Sequence, residues 1–220
     1  MKKEYKNKIL RCLILLIGLV IAHFGVTLYL LVNLGADPFN VLVQGVYRFV
    51  AGFMDSRWIT HGNIHIIMSL LIIVILLWID RSYIKIGTIL CMVFGGPIID
   101  FFTRYLEPYF KKAYPLGINL LLEAVACVIL ALGMSIVIKS DAGTGPNDLV
   151  AVVISDKIHR KFSIVRMITD ISFVAAGCLL GGALGVGTII CAFLVGPVAG
   201  FFLPHSERVI NRIVREQSLS

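Results

Sequence analysis

Residues 140–149 read SDAGTGPNDL, a polar and turn-forming stretch that directly follows a long apolar run. Its two glycines permit backbone angles that other residues avoid, and Pro146 suits the first position of a helix. Asp141 or Thr144 could cap that helix. The stretch therefore predicts a tight junction between a long helix and a short one.

The same junction occurs earlier, because residues 33–42 read NLGADPFNVL. At an offset of 108 residues, Gly35 pairs with Gly143, Pro38 with Pro146, and Asn40 with Asp148. Two copies of one unusual junction indicate a duplicated fold.

A second pair of segments supports the duplication. Residues 87–102 read GTILCMVFGGPIIDFF and residues 187–202 read GTIICAFLVGPVAGFF. Eight of these 16 positions are identical at an offset of 100. Chance similarity between apolar segments explains this poorly, because glycine, threonine, cysteine and proline positions are shared.

The composition is that of a membrane protein. Of 220 residues, 58% are hydrophobic and 15% are charged, whereas soluble domains have about a quarter of their residues charged. A membrane-crossing helix needs roughly 20 apolar residues, so the chain has room for about six crossings. The net charge of +7 does not indicate nucleic-acid binding, because Lys and Arg flank the apolar blocks as topology signals and lipid contacts do.

We predict an all-α membrane protein with six crossings in two three-helix repeats, each with an extra short helix after its junction. The first repeat (9–106) has crossings at 9–32, 60–79 and 86–106, and the second (117–203) at 117–139, 163–182 and 186–203. Residues 1–8 and 204–220 are basic, cytoplasmic ends, and the short helices cover 38–50 and 146–160. Because three crossings are an odd number, the second repeat is inverted relative to the first. Most of the 20 Lys and Arg residues then lie on the inner side, which favours cytoplasmic termini.

The paired G-x-x-P-x-(N/D) junctions and paired G-T-I-x-C…G-P segments resemble the YczE/YyaS/YitT group of bacterial integral membrane proteins, and most of all its YczE family. The resemblance covers nearly the whole chain, and GTGPNDL is its most specific part. It implies a multi-pass plasma-membrane protein, for which a transport role is often supposed. It supplies neither catalytic residues nor a substrate.

The junctions supply the candidate binding residues: Asp37, Asn40, Asp141, Asn147 and Asp148. The N-termini of short helices within a membrane would favour an anion. The carboxylates favour a cation or a proton instead, or they simply cap the helices. It is also open whether the short helices enter the membrane or lie at its interface as turns.

Arg166 and Asp170 lie one helical turn apart inside the fifth crossing, where charge is costly and usually paired. They form either a coupling pair for transport or a structural clamp. At an offset of 100 their repeat counterparts are the apolar Ile66 and Leu70. A third carboxylate, Glu123, could relay protons or reach Lys111 or Lys112.

Glycine–proline pairs are expected to interrupt the third and sixth crossings and to act as hinges: Gly96, Pro97, Gly196 and Pro197. His23 is expected to be a hydrogen-bonded core residue. His61 and His65 share a helix face, but no third ligand is evident nearby, so no metal site is predicted.

These features favour a small secondary transporter or exporter of an unidentified solute. The alternative is a non-transporting membrane partner that regulates another membrane or biosynthetic protein. We expect no enzymatic activity, no cofactor and no nucleic-acid partner, since no catalytic or phosphate-binding motif occurs. Membrane lipids are expected partners, and a homodimer through the face around Gly181 is a further expectation.

Overall fold

The computed structural model describes residues 2–53, 61–110 and 114–219, and all regular secondary structure in these residues is helical. The α-helices are α1 (Lys2–Val32), α2 (Pro38–Ala51), α3 (His61–Ile79), α4 (Ile86–Phe110), α5 (Leu116–Lys139), α6 (Pro146–Lys157), α7 (Phe162–Leu179) and α8 (Val186–Leu219). A 3-10 turn, Arg81–Tyr83, joins α3 to α4.

Within this part of the chain, five helices are long and apolar enough to cross a membrane: α1, α4, α5, α7 and α8. They correspond to five of the six predicted crossings, with shifts at their ends. The predicted crossing at 60–79 corresponds to α3, whose Asn63–Ile79 segment is apolar but shorter than the other spans. Residue 60 and the turn before it lie outside the described residues.

Helices α1 and α5 form the centre of the bundle and pack closely against each other. Glycines make this contact possible, since a Cβ at Gly25 would lie 2.5 Å from the backbone nitrogen of Leu130. Helix α4 packs against α1, and α8 packs against α5. The short helices α2 and α6 both contact α3 and α7, so each one touches both halves of the chain.

The two junctions have matching backbone contacts. The Gly187 N–H donates to the Leu34 carbonyl at 3.0 Å, and the Gly87 N–H donates to the Ala142 carbonyl at 2.7 Å. Each junction is therefore held by the first turn of the long helix that ends the other half. Asn33 and Asp141, which start the two junctions, both have positive φ angles, of 57° and 59°.

The long helices α4 and α8 run without a break through Pro97 and Pro197. The expected interruptions at Gly96–Pro97 and Gly196–Pro197 are therefore wrong. A proline removes one backbone hydrogen bond, but the rest of the helix keeps its bonds where no water can replace them. Bending at these positions stays a prediction.

Both ends of the chain are more helical than the sequence predicts. Helix α1 already begins at Lys2, and α8 continues through the expected tail at 204–220 as far as Leu219. The extension of α8 keeps an inward face, because Ser206 and Ile210 are buried. A salt bridge of 2.7 Å joins Lys139 at the end of α5 to Glu207.

Candidate functional site

A cavity of about 320 Å³ lies between the two junctions. Four of the five predicted binding residues line it: Asp37, Asn40, Asn147 and Asp148. They form two pairs, one at the start of α2 and one at the start of α6, and the fold brings the pairs together. Only Asn40 and Asp148 are counterparts at the offset of 108. Arg166 of α7 also lines this cavity.

The first junction is stabilised by hydrogen bonds between its own residues. Asp37 is the N-cap of α2, and its Oδ1 accepts a hydrogen bond of 3.2 Å from the Asn40 N–H. The Asn40 amide donates to the other oxygen of Asp37. Asp37 therefore satisfies one free N–H group of α2, as an N-cap carboxylate does, and its partner Asn40 carries no charge.

The second junction is held by a different group. Gly145 is the N-cap of α6 and supplies no side chain, while Pro146 occupies the first helical position. Asp148 lies in the first turn and accepts a hydrogen bond of 2.6 Å from Nη1 of Arg166. The charge that holds this junction therefore comes from α7.

Arg166 bridges two carboxylates. Besides Asp148, its Nε donates to Oδ2 of Asp170 at 2.9 Å, one turn further along α7. Arg166 is 6% exposed and Asp170 is fully buried. The remaining oxygen of Asp170 has no hydrogen-bond partner among the described residues. Such a buried pair is costly to break, because the partner would be left as an uncompensated charge.

The structure gives Arg166 and Asp170 different counterparts in the first half from those that the sequence offset predicts. The offset of 100 pairs Arg166 and Asp170 with Ile66 and Leu70, but both of these are about half exposed. The inward positions of α3 are His65 and Ser69, which line the cavity. The first half thus places an imidazole and a hydroxyl group where the second half places an ion pair.

Asp141 lies apart from the other predicted binding residues. It is exposed, it pairs with Lys85, and it lies 3.6 Å from Arg11. These groups line a separate and open depression of about 710 Å³. Asp141 therefore fixes the start of the second junction and does not face the cavity.

The cavity is also lined by residues that the sequence analysis does not single out as binding groups. His23 is bonded through Nδ1 to the Leu19 carbonyl at 2.8 Å, and it faces the cavity together with Tyr29. The Tyr29 hydroxyl is buried and has no partner among the described residues. Sequence alone did not find it, because a tyrosine in an apolar helix is usually a packing residue.

Glu123 is fully buried, and neither of its oxygens has a hydrogen-bond partner among the described residues. Its carboxyl packs against Gly187, where an added Cβ would lie 2.1 Å from Oε1. At an offset of 108 its counterpart is Leu15, which packs against Gly87 in the same way. The predicted alternative partners, Lys111 and Lys112, lie outside the described residues.

The glycines around Gly181 pack within the chain. A Cβ at Gly177 would lie 2.5 Å from the Val41 carbonyl, and one at Gly185 would lie 2.2 Å from the Leu34 carbonyl. This face allows α7 to approach α2 closely. A homodimer through it stays a prediction.

Among the described residues, no group of three His, Cys, Asp or Glu side chains is placed to hold a metal ion. His65 packs edge-on against Phe39, with ring centroids 5.3 Å apart. The side chain of His61 lies outside the described ones.

Comparison with known proteins assigns the family. The sequence matches a family described as "Family of unknown function (DUF6198)" over residues 9–204. The chain belongs to this family. The match spans both junctions and the residues that line the cavity.

Three relatives extend the comparison. The uncharacterized membrane protein YczE of Bacillus subtilis is 28% identical over 219 residues, which cover 99% of this chain and 95% of YczE. An uncharacterized protein of Haemophilus influenzae is 29% identical over 86% of this chain and 82% of its own length. The uncharacterized protein YyaS of Bacillus subtilis is 25% identical over 87% of this chain and 92% of its own. No solved structure matches.

The relatives and the apolar helices agree on the class of protein. YczE is described as a membrane protein, and this chain matches it over nearly its whole length. Five helices of the described residues are long and apolar enough to cross a bilayer. The chain is therefore a multi-pass integral membrane protein of the YczE-like family.

Proposed function

We propose that this protein is a small secondary transporter or exporter, which moves a solute through the cavity between its two junctions. One observation carries the proposal: the duplicated junctions, far apart in sequence, line the same cavity inside a bundle of apolar helices. Short helices that start at such a cavity are a recurrent plan for substrate sites in secondary transporters.

The transporter would have six crossings in two inverted halves, with α3 as the sixth. The matched hydrogen bonds from Gly187 to Leu34 and from Gly87 to Ala142 support the duplication. The bias of Lys and Arg supports cytoplasmic termini in a bacterial plasma membrane. We expect no enzymatic activity and no cofactor.

In this mechanism Asp37, Asn40, Asn147 and Asp148 bind the solute. A solute that binds Asp148 competes with Arg166, which keeps Asp170 as its second partner. Arg166 and Asp170 thus couple occupation of the cavity to the position of α7. Gly96–Pro97 and Gly196–Pro197 are the positions at which α4 and α8 would bend.

The second junction separates the cavity from the open depression at Asp141. Gly143 and Thr144 line the depression, whereas the next four residues line the cavity. A movement of this junction would therefore open the cavity towards the end of the bundle that carries Arg11 and Lys85. Arg11 donates to the Ser140 carbonyl at 3.0 Å and would resist that movement.

The test is a thermal-shift screen of the purified protein against amino acids, organic anions, organic cations and lipids, because a ligand of the folded state raises its apparent stability. We expect one solute class to raise the melting temperature of the wild-type protein. The shift should be lost in Asp148→Ala and kept in the matched variant Asp141→Ala, whose carboxylate lies outside the cavity. Liposomes that contain the protein should then accumulate the same solute.

Loss of the shift in both aspartate variants, or in neither, would contradict the cavity as the binding site. A flat response to every solute, with a stoichiometric membrane protein that co-purifies, would favour the non-transporting partner instead. Failure of Asp170→Asn to accumulate in the membrane would make that residue a structural clamp.

A further inference from the structure

Helices α4 and α8 have similar sequences, but only α8 is covered by the helix that precedes it. Helix α7 packs along α8, whereas α3 and α4 barely touch within the described residues. Met92 of α4 is 37% exposed, and its counterpart Ala192 of α8 is 3% exposed. A Cβ at Gly96 would meet nothing within 4 Å, while one at Gly196 would lie 2.7 Å from the Ser163 carbonyl.

The cavity extends to this gap between α3 and α4. His65 and Ser69 of α3 line it from one side. Met92, Gly96 and Ile99 of α4 line it from the other. The cavity therefore opens sideways, between two apolar helices, towards the place where the hydrocarbon of a bilayer would lie. A hydrocarbon chain in the gap would keep contact with apolar surface along its whole length.

The polar end of the cavity carries more negative than positive charge. Asp37 and Asp148 line it, and Asp170 shares the guanidinium of Arg166 with Asp148. The other basic groups in the lining are the imidazoles of His23 and His65. Asn40, which carries no charge, donates a hydrogen bond to each oxygen of the Asp37 carboxylate. In a site of low dielectric constant, one uncompensated carboxylate strongly favours a cation.

Aromatic groups also face this end of the cavity. Phe39 and Tyr29 both line it and are nearly fully buried. Their rings suit an ammonium group through cation–π attraction. An anionic group would instead meet the carboxylates, and the N-terminus of α2 offers it little because Asp37 already caps that helix.

We propose that the cavity binds a single-chain cationic amphiphile, an amine or a quaternary ammonium compound, which enters from the bilayer between α3 and α4. The cationic head lies near Asp37 and Asp148, and the hydrocarbon tail lies in the gap beside Met92 and Gly96. This inference rests on the proposed transport function and names its substrate class. Entry from the membrane follows from the position of the gap, and selection for positive charge follows from the excess of carboxylates.

The test measures equilibrium binding of radiolabelled decyltrimethylammonium to the protein in phosphatidylcholine nanodiscs, with empty nanodiscs as the blank. We expect saturable binding that unlabelled compound displaces. Decyl sulfate should fail to displace it, because its head has the opposite charge. Tetramethylammonium, which has the head without the tail, should displace it only weakly.

Variants separate the head site from the entry gap. Asp37→Asn should weaken binding about tenfold or more, because it removes the uncompensated charge. Gly96→Phe and Met92→Trp should each block the gap and reduce binding, so that the test does not depend on one variant that folds poorly. Gly117→Ala, which also places a methyl group where nothing lies within 4 Å but does so outside the cavity lining, should bind like the wild-type protein.

Displacement of decyltrimethylammonium by decyl sulfate, or its full displacement by tetramethylammonium, would overturn the inference. Unchanged binding in Asp37→Asn, or in both Gly96→Phe and Met92→Trp, would also overturn it. If the two gap variants instead abolish a dimer and leave binding intact, a second copy covers the gap. Transport of a water-soluble solute with no binding of decyltrimethylammonium would overturn this inference alone. Binding without uptake into liposomes would support the ligand class and contradict the transport function.

Discussion

Helices α4 and α8 share half of their residues over their 16-residue repeat, yet they have different surroundings. Helix α8 is closed off by α7, and the small residues Ala192, Gly196 and Ala199 are buried. In α4 the same positions are Met92, Gly96 and Ile99, and they lie at a gap. The difference shows that two helices of similar sequence can have different neighbours, and that the neighbours decide whether a helix face is buried or lies at a gap.

The same asymmetry extends to the polar groups. In the second half, Arg166 and Asp170 are buried and hold the junction through Asp148. In the first half, His65 and Ser69 occupy the inward positions of α3 and line the cavity. The second half thus holds its junction through a buried ion pair, which suits the fixed side of a cavity, whereas the first half has the gap beside α4.

The largest predicted effect comes from the second half. Arg166→Met should lower the free energy of unfolding by about 3–5 kcal/mol, because Asp148 and Asp170 lose their shared partner. Thermal unfolding in detergent measures this change. The double variant Arg166→His with Asp170→Ser copies the first half and should recover part of the loss. A single variant as stable as the wild-type protein would show that the ion pair does not hold α7 in place.

The second prediction compares the two glycines directly. Gly196→Ala should destabilise the protein by about 1–3 kcal/mol, because the new methyl group meets the Ser163 carbonyl of α7. Gly96→Ala should be neutral or stabilise by up to about 1 kcal/mol, since alanine favours a helix and nothing lies within reach. Equal effects of the two substitutions on the melting temperature would contradict the open gap.

A third prediction concerns Glu123, a buried carboxyl whose counterpart in the first half is Leu15. Glu123→Leu copies Leu15 and should raise stability by about 1–2 kcal/mol, because it removes a buried carboxyl that has no hydrogen-bond partner among the described residues. Leu15→Glu is the reverse change in the other half and should destabilise. Chemical or thermal unfolding of the two variants compares them. A Glu123→Leu variant that unfolds more easily than the wild-type protein would indicate a partner for this carboxyl.

The smallest expected effect concerns the salt bridge between Asp80, which follows α3, and Lys157 at the end of α6. Asp80 accepts hydrogen bonds from Ser82 and from Lys157 at the end of α6. These bonds, first those from Ser82, hold the pKa of Asp80 below its ordinary value of 3.8, and Asp80 in turn raises the pKa of Lys157.

A depressed carboxyl pKa contributes stability that is present above about pH 4 and is lost as the pH falls below that value. Asp80→Asn should therefore lower the melting temperature slightly at pH 7 and change it less at pH 3. The exposed position keeps the effect small. If the difference in melting temperature between Asp80→Asn and the wild-type protein grew as the pH fell, the stabilising role of this salt bridge would be contradicted.

Much of the fold follows from the sequence. Long apolar blocks determine the membrane class, and the glycine–proline junctions predict where α2 and α6 begin, at Pro38 and Pro146. The prediction of helix breaks fails, because the tendency of proline to end a helix competes with the apolar environment of the helix. Pro97 and Pro197 look like helix breaks, but a helix inside a membrane keeps its remaining backbone bonds because nothing else can satisfy them.

The sequence predicts part of the cavity lining, while the binding role of these residues stays a prediction. Four of the five proposed binding residues meet at one cavity, because they belong to duplicated junctions that the fold brings together. Asp141 does not, since the positive φ at this residue turns the chain and its side chain pairs with Lys85 and Arg11. Its sequence neighbours gave no sign of this direction.

The sequence by itself determined the membrane class and the residues of the two similar junctions, because hydropathy, glycine and proline act locally along the chain. Only the tertiary structure decided that Arg166 holds Asp148, that Tyr29 and His65 face the cavity, and that the gap lies beside α4 and not beside α8. These features depend on which helices become neighbours. That choice rests on contacts such as Gly196 against Ser163, between residues that no local pattern connects.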